Sequence, residues 1–280
     1  MPASAHLPTT TDRARTPSKF RVVAETEDYL VVDKPAFLLI HPTKPDGTPT
    51  LLAALRDLLA FELVNGGQVS IVNRLDRETS GLVLIAKNAA TARRFGLAME
   101  RRHIEKEYLA IVHGWPEWEA TRLDAPLARQ GGHGASAIWL KQTIHPEGAP
   151  ALTEFRVEKR FVRRSAGRED PFALVRAIPR TGRTHQIRVH LAHLGHAIVG
   201  DKIYGPNERL YLRFIETGWT NELADQLLLP RHALHSARLR IHDQFDWRSA
   251  LPEDLANWIK GPLPFWHPER SAAKSKDPVE

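Results

Sequence analysis

Asp76, in "NRLDRETSGLVLIAK" (73–87), is a carboxylate set beside an apolar leucine and just before an apolar strand. Three chemistries could use it there. Hydrolysis of a sugar bond normally takes two carboxylates flanking that bond. Glu78 is two residues on and would share a face with Asp76 if the stretch were extended. Metal binding takes several ligands. His185, His190, His193 and His196 crowd together in sequence, and helical spacing would align His190 with His193 and His193 with His196, but no carboxylate accompanies them. The third chemistry needs one Asp, kept ionised by an arginine, as nucleophile or electrostatic stabiliser at a sugar carbon. "RTGRTHQIRVHL" (180–191) offers Arg183 and Arg188. An Asp–Arg pair that only joins two elements is the competing structural use.

The elements that must position these groups read as an α+β chain. "FRVVAETEDYLVVDKPAFLLIHPT" (20–43) gives short strands broken at "ETED" and at Lys34-Pro35. A helix is expected over 50–63 with Thr50 as N-cap, followed by a strand at 81–87, a helix near 89–102 and a strand at 106–114. "RQGGHGAS" (129–136) lacks the Lys-Ser/Thr ending of a phosphate loop and reads as a hairpin connection. Strands follow at 151–161, 172–179 and 233–241. In "THQIRVHLAHLG" (184–195), Ile187, Leu191 and Leu194 share a helical face and Gly195 is the stop. Strands and helices do not alternate regularly, which favours a mixed sheet over a doubly wound one. No repeat or linker divides the chain. The expected organisation is a tail at 1–19, one catalytic domain at 20–262 and a second tail at 263–280.

Composition narrows the partner. Among 280 residues there are no cysteines, which excludes disulfides, thiol nucleophiles and Cys-ligated zinc. No stretch approaches the roughly 18 apolar residues of a membrane span, and the N-terminus lacks a signal-peptide core. A cytoplasmic protein with no membrane association is expected. Lys and Arg number 39 against 33 Asp and Glu, a formal charge of +6. The basic residues crowd at 92–106, 158–168 and 180–188, two of these runs beside the motifs above. That distribution points to a polyanion such as nucleic acid.

Taken together, "NRLDRETSGLVLIAK", "EKEYLAIVHG" (105–114) and "RTGRTHQIRVHLAHLGHAIVGDKIYG" (180–205) resemble the RluA-type RNA pseudouridine synthases. The resemblance extends to "YLVVDKPAFLLIHP" (29–42), "ALTEFRV" (151–157) and "ALHSARLRIHD" (233–243), in the family's order over roughly residues 20–260. It implies a bent, mainly antiparallel mixed sheet with flanking helices and a central active-site cleft. It makes Asp76 the catalytic carboxylate, Tyr108 the aromatic that stacks on the target base, and Arg188 the partner of Asp76. Arg74 would fill the gap left by a flipped nucleotide, and Asn73, Arg183, Thr184, His185 and Gln186 would contact RNA. Where the family usually has His, this chain has Asn73, which cannot carry charge.

The implied reaction is an isomerisation of uridine in structured RNA, ribosomal or transfer. Nothing is added and nothing leaves, so no cofactor, metal or obligatory protein partner is expected. Many relatives carry an N-terminal S4-type RNA-binding domain, for which 19 leading residues are too few. RNA selection is therefore expected from the catalytic domain and tails. The rival readings are a catalytically silent RNA-binding relative, a histidine-based metallohydrolase and a glycoside hydrolase.

Overall fold

In the computed structural model, residues 20–42, 47–165, 168–241 and 244–261 are described, so both expected tails lie outside the described residues. The chain opens with β1 (Arg21–Glu25) and β2 (Tyr29–Lys34), then α1 (Leu51–Leu58) and α2 (Ala60–Val64). β3 (Ser70–Ile71), β4 (Ser80–Ala86), α3 (Ala89–Glu100) and β5 (Ile104–His113) follow. Next come β6 (Ala120–Asp124), the paired β7 (Leu127–Arg129) and β8 (Gln142–Ile144), and the long β9 (Leu152–Ser165) and β10 (Arg168–Pro179). The last part holds α4 (Gln186–His193), α5 (Arg209–Thr217), α6 (Asn221–Leu227), β11 (Leu234–Ile241), β12 (Phe245–Arg248) and α7 (Glu253–Lys260).

One mixed sheet runs β1-β2-β4-β11-β5-β10-β9-β6, with β12 on β11 and β3 on β4. Every pairing in it is antiparallel except that of β4 with β11. β4 reads "SGLVLIA" without alternation because both of its faces are covered, and all seven residues are buried. Val83 and Ile85 join Leu30 and Val32 in one core, with Leu51 and Leu55 of α1 and Leu255 and Trp258 of α7. Leu82 and Leu84 join Tyr29 and Val31 in the other, beneath Phe95 of α3. Each such fully buried aliphatic side chain contributes roughly 1.5–3 kcal/mol relative to exposure.

Two local features differ from or sharpen the sequence expectation. Thr50 caps α1 by accepting from the Ala53 amide at 3.2 Å, as its type predicts. The expected single helix is kinked at Leu59, which is 1% exposed because its side chain turns into the core. At Gly81, φ is +114° and an added Cβ would sit 2.3 Å from the Ser236 carbonyl oxygen. Only glycine lets β4 and β11 close there, directly after the loop that carries Asp76.

Candidate active site

Asp76 lies on the loop between β3 and β4, and several buried groups fix that loop from both sides. Asn73 donates to the Leu82 carbonyl at 3.1 Å and accepts from the Leu84 amide at 2.8 Å. Lys34 reaches from the end of β2 and donates to the carbonyls of Pro35, Leu38 and Arg77 at 2.9, 2.9 and 3.2 Å. Thr79 is hydrogen-bonded to His232 Nε2 at 2.7 Å. Arg231 donates to the Glu78 carbonyl at 3.3 Å. The aspartate therefore sits on a fixed platform, with its side chain 34% exposed at the cleft floor.

The opposing wall is the start of α4. Arg188, in the first turn, donates from Nη1 to Asp76 Oδ2 at 2.9 Å. Its other two nitrogens fork onto Asp201, Nε to Oδ2 at 2.7 Å and Nη2 to Oδ1 at 2.9 Å. Asp201 also accepts from the amides of Ile203 and Tyr204, both at 3.0 Å, so its charge is compensated on all sides. The Tyr204 ring lies 5.1 Å from the guanidinium carbon. Burial, the largest single effect, would raise the carboxyl of Asp76, but the Arg188 guanidinium and its hydrogen bond, together with the smaller effects of His185 and His232, bring the net shift downward. Asp76 is thus a carboxylate at neutral pH. Asp201 follows the same logic: burial, the largest effect, is opposed by the Arg188 charge and hydrogen bonds, with His232 and the Tyr204 amide adding to them, and the net shift is downward.

Tyr108, on β5, faces the same cleft and is 8% exposed. Burial pushes its phenol up to about 12, against a smaller opposing effect from a Ser236 hydrogen bond, so it stays protonated. The cleft measures about 490 Å³, and its lining includes Asn73, Arg74, Asp76, Tyr108, Arg183, Thr184, His185, Gln186 and Arg188. That volume lies in the range of about 300–1,000 Å³ usual for small-molecule sites, enough for one everted nucleotide. It adjoins a groove lined in part by Arg102, Lys106, Arg180 and Arg183. Burial lowers the pKa of Lys106.

All nine residues singled out in the sequence border the cleft, but they do not do the same work. Arg74, Arg183 and Thr184 are exposed and available to a ligand. Gln186 and Asn73 depart from the expectation of RNA contact: both are buried, the Gln186 amide with two bonds accepted and two donated inside the protein, and the Asn73 amide with one bond donated and one accepted on β4. Gln186 accepts from Thr181 Oγ1 and the Arg183 amide, at 2.8 and 2.9 Å. It donates to the Leu152 carbonyl and Thr153 Oγ1, both at 2.9 Å. Both residues position the site. The missing charge at Asn73 is accordingly a matter of loop anchoring. Of the basic run at 158–168, Arg160 bonds Glu119 and Arg163 is buried over Trp258, so neither is a free phosphate contact.

Two rival chemistries lose their geometry. Glu78 is held by Lys202 Nζ at 2.7 Å and the His232 amide at 3.1 Å, and so is not free to serve as a second carboxylate. The four histidines of 185–196 do not converge. His185 bonds Tyr204, His190 bonds Thr153 and the Ala125 carbonyl, and His196 bonds the His113 carbonyl. Among the described residues, His133, His145 and Glu147 are the group close enough to share a cation. Their imidazoles stack face to face at 3.8 Å, which sets the in-plane lone pairs side by side rather than onto one point.

Residues 28–193 match the family described as RNA pseudouridylate synthase. The ribosomal large subunit pseudouridine synthase D of Yersinia pestis is 35% identical over 248 residues, covering 85% of this chain and 69% of that protein. The protein of the same name from Escherichia coli K12 is 32% identical over 249 residues, with the same coverage. The chain belongs to the RluA-type RNA pseudouridine synthases. It is an isomerase that converts uridine in RNA to pseudouridine. Its fold is shared with human RNA pseudouridylate synthase domain containing 4, at a TM-score of 0.66 and 21% identity over 86% of this chain and 92% of that one. Human RNA pseudouridylate synthase domain containing 1 gives 0.64 and 24%, over 95% and 100%. Among the described residues, no helix of the synthase is long and apolar enough to cross a membrane.

Three participants carried no role in the sequence reading. Asp201 and Tyr204 fall inside the quoted "GDKIYG", and Lys34 inside "VVDKP", yet nothing in their spacing said that they would be buried against the site. Only a buried position could have marked them, and burial is a tertiary property.

Proposed function

We propose that the synthase modifies ribosomal RNA of the large subunit, with Asp76 as its catalytic carboxylate, Arg188 as the charge partner and Tyr108 as the face on which the uracil rests. The observation that carries the residue assignment is the 2.9 Å contact between Arg188 Nη1 and Asp76 Oδ2 at the floor of a nucleotide-sized cleft. Attack at C1′ and proton removal at C2′ both begin with an ionised carboxylate beside the ribose, which this pair supplies. The C1′–N1 bond breaks with its electrons passing to the uracil. The ring turns, C5 joins C1′, the C5 proton leaves and N1 takes one up.

The target base must leave its stack, at roughly a few kcal/mol. Stacking on an aromatic ring returns about 1–3 kcal/mol per base. Arg74, Arg183 and Thr184 are exposed and border the cleft, where Arg74 can occupy the vacated place. The catalytic unit is taken as residues 20–262, working in the cytoplasm. The large-subunit target rests on the names of the relatives. Mapping pseudouridines in total RNA with and without the gene tests it. A large-subunit site should disappear, and return with the wild-type chain but not with Asp76→Asn. Loss of a transfer-RNA site alone would overturn the target.

A further inference from the structure

We propose that His185 is a further catalytic residue, whose Nε2–H donates a hydrogen bond to uracil O2 of the target uridine as the glycosidic bond opens, and that Tyr204 is the positioning residue that fixes the tautomer. The proposal rests on the reading of Asp76 given above.

The argument starts at the Tyr204 hydroxyl. It accepts from the Gln142 amide at 2.8 Å, and a backbone N–H can only donate. The same hydroxyl lies 2.8 Å from His185 Nδ1. Burial raises the Tyr204 phenol well above its ordinary value, so the hydroxyl keeps its proton, and among the described residues His185 Nδ1 is the one hydrogen-bond acceptor that proton can reach. With Nδ1 accepting, the hydrogen of a neutral imidazole must sit on Nε2. Burial first, and the Arg188 charge second, lower His185 to about 4, so the ring is neutral at physiological pH.

The Nε2–H has no acceptor in the protein among the described residues. Asp76 Oδ2 is 3.9 Å away, beyond hydrogen-bond reach, and His185 borders the cleft. His185 also holds φ +55° and ψ 16°, a left-handed conformation at the N-terminal boundary of α4. Backbone strain of this kind at a non-glycine residue persists where the surroundings enforce it, and it concentrates at functional sites. Here Gln186 supplies the enforcement, by tying the turn to Thr181 and the Arg183 amide.

The position selects the substrate atom. A carboxylate working at C1′ or C2′ brings N1 and its neighbour O2 to the adjoining space. When the C1′–N1 bond opens, its electron pair delocalises onto N1, O2 and O4, so a donor at O2 meets charge that develops only in the transition state. A neutral donor suits this place. An imidazolium would ion-pair with Asp76 and compete with the ribose for it, whereas Arg188 already holds one oxygen from behind.

The test combines a tautomer measurement with a substituted substrate. In 15N-histidine protein, the His185 ring is identified among 14 histidines by its loss in His185→Gln. It should show neutral Nε2–H from pH 5 to 8, and a mixture of tautomers in Tyr204→Phe. In single turnovers, 2-thiouridine at the target should slow the wild type by roughly tenfold or more, sulfur being a poor acceptor. In His185→Asn, which tolerates the positive φ but falls short of the cleft, uridine and 2-thiouridine should react at nearly equal, reduced rates. His185→Gln, whose amide nitrogen reaches close to the Nε2 position, should regain part of the discrimination. A hydrogen on Nδ1, or an undiminished sulfur effect in His185→Asn, overturns the proposal. Activity retained by Asp76→Asn would overturn the carboxylate reading separately, because the tautomer measurement does not depend on turnover.

Discussion

Arg188 holds Asp201 with two of its nitrogens and Asp76 with the third. Asp76 is therefore paired with a cation that cannot swing away, because its other side is locked into a fully buried acid. Arg188→Met should have two separable effects. Leaving Asp201 buried and unpaired should destabilise the fold by about 3–5 kcal/mol, read from urea midpoints. Asp76 should also lose the charge that lowers its pKa, so any residual activity should fall further on the acid side of the profile. Arg188→Met with Asp201→Asn should recover much of the stability and none of the activity.

For Asn73 the structure predicts a defect in anchoring. Asn73→Ala removes two buried hydrogen bonds to β4. It should cost about 2–3 kcal/mol of stability and slow turnover. RNA affinity and its salt dependence should stay as in the wild type. Loss of affinity at unchanged stability would return Asn73 to the RNA surface.

That contrast shows where the sequence was legible. That Asp76, Tyr108 and Arg188 belong together was legible because motifs at fixed spacing carry them, and the structure brings all three to one cleft. Asn73 and Gln186 sit in the same motifs, and a polar residue in a motif looks the same whether it faces a ligand or the backbone. Burial separates the two cases, and it depends on strands distant in sequence. β2 and β4 were visible as apolar runs. The insertion of β11 between β4 and β5 was not, because it places Ser236 beside Gly81 across more than half of the chain. Asp201 belongs to the same class of non-local partner.

Arg74 and Arg183 are two of the exposed arginines that border the cleft. Each changed to Met should make the slope of log K against log salt shallower by about 0.7, the increment for a single-stranded contact. Filter-binding titrations across salt check this. An unchanged slope in both variants would move the phosphate path elsewhere, to the groove beside Arg102 and Arg180.

Lys34 gives a pH signature. Burial first, and the Arg231 charge second, lower its ammonium from 10.5 to about 7, against the opposing effects of Asp76 and Asp33. Between those values the unfolded chain binds more protons than the folded one, so stability rises with pH across that window. The rise is at most about 1.4 kcal/mol per pH unit. Measured as the difference in urea stability between wild type and Lys34→Met, it should grow in favour of the wild type from pH 7 to 10. A flat difference would mean that the buried amine keeps its proton at little cost.

The most direct test of the catalytic assignment is Asp76→Asn, assayed for pseudouridine and for RNA binding on the same RNA. The amide is nearly isosteric, and Arg188 remains fixed by Asp201, so the cleft should keep its shape. Pseudouridine formation should fall to background, because an amide can neither attack C1′ nor take a proton from C2′. Affinity should stay within about tenfold, roughly 1.4 kcal/mol, since binding depends on phosphate contacts and stacking. Substantial pseudouridine from the folded variant would contradict the account and leave Asp76 as a structural partner of Arg188.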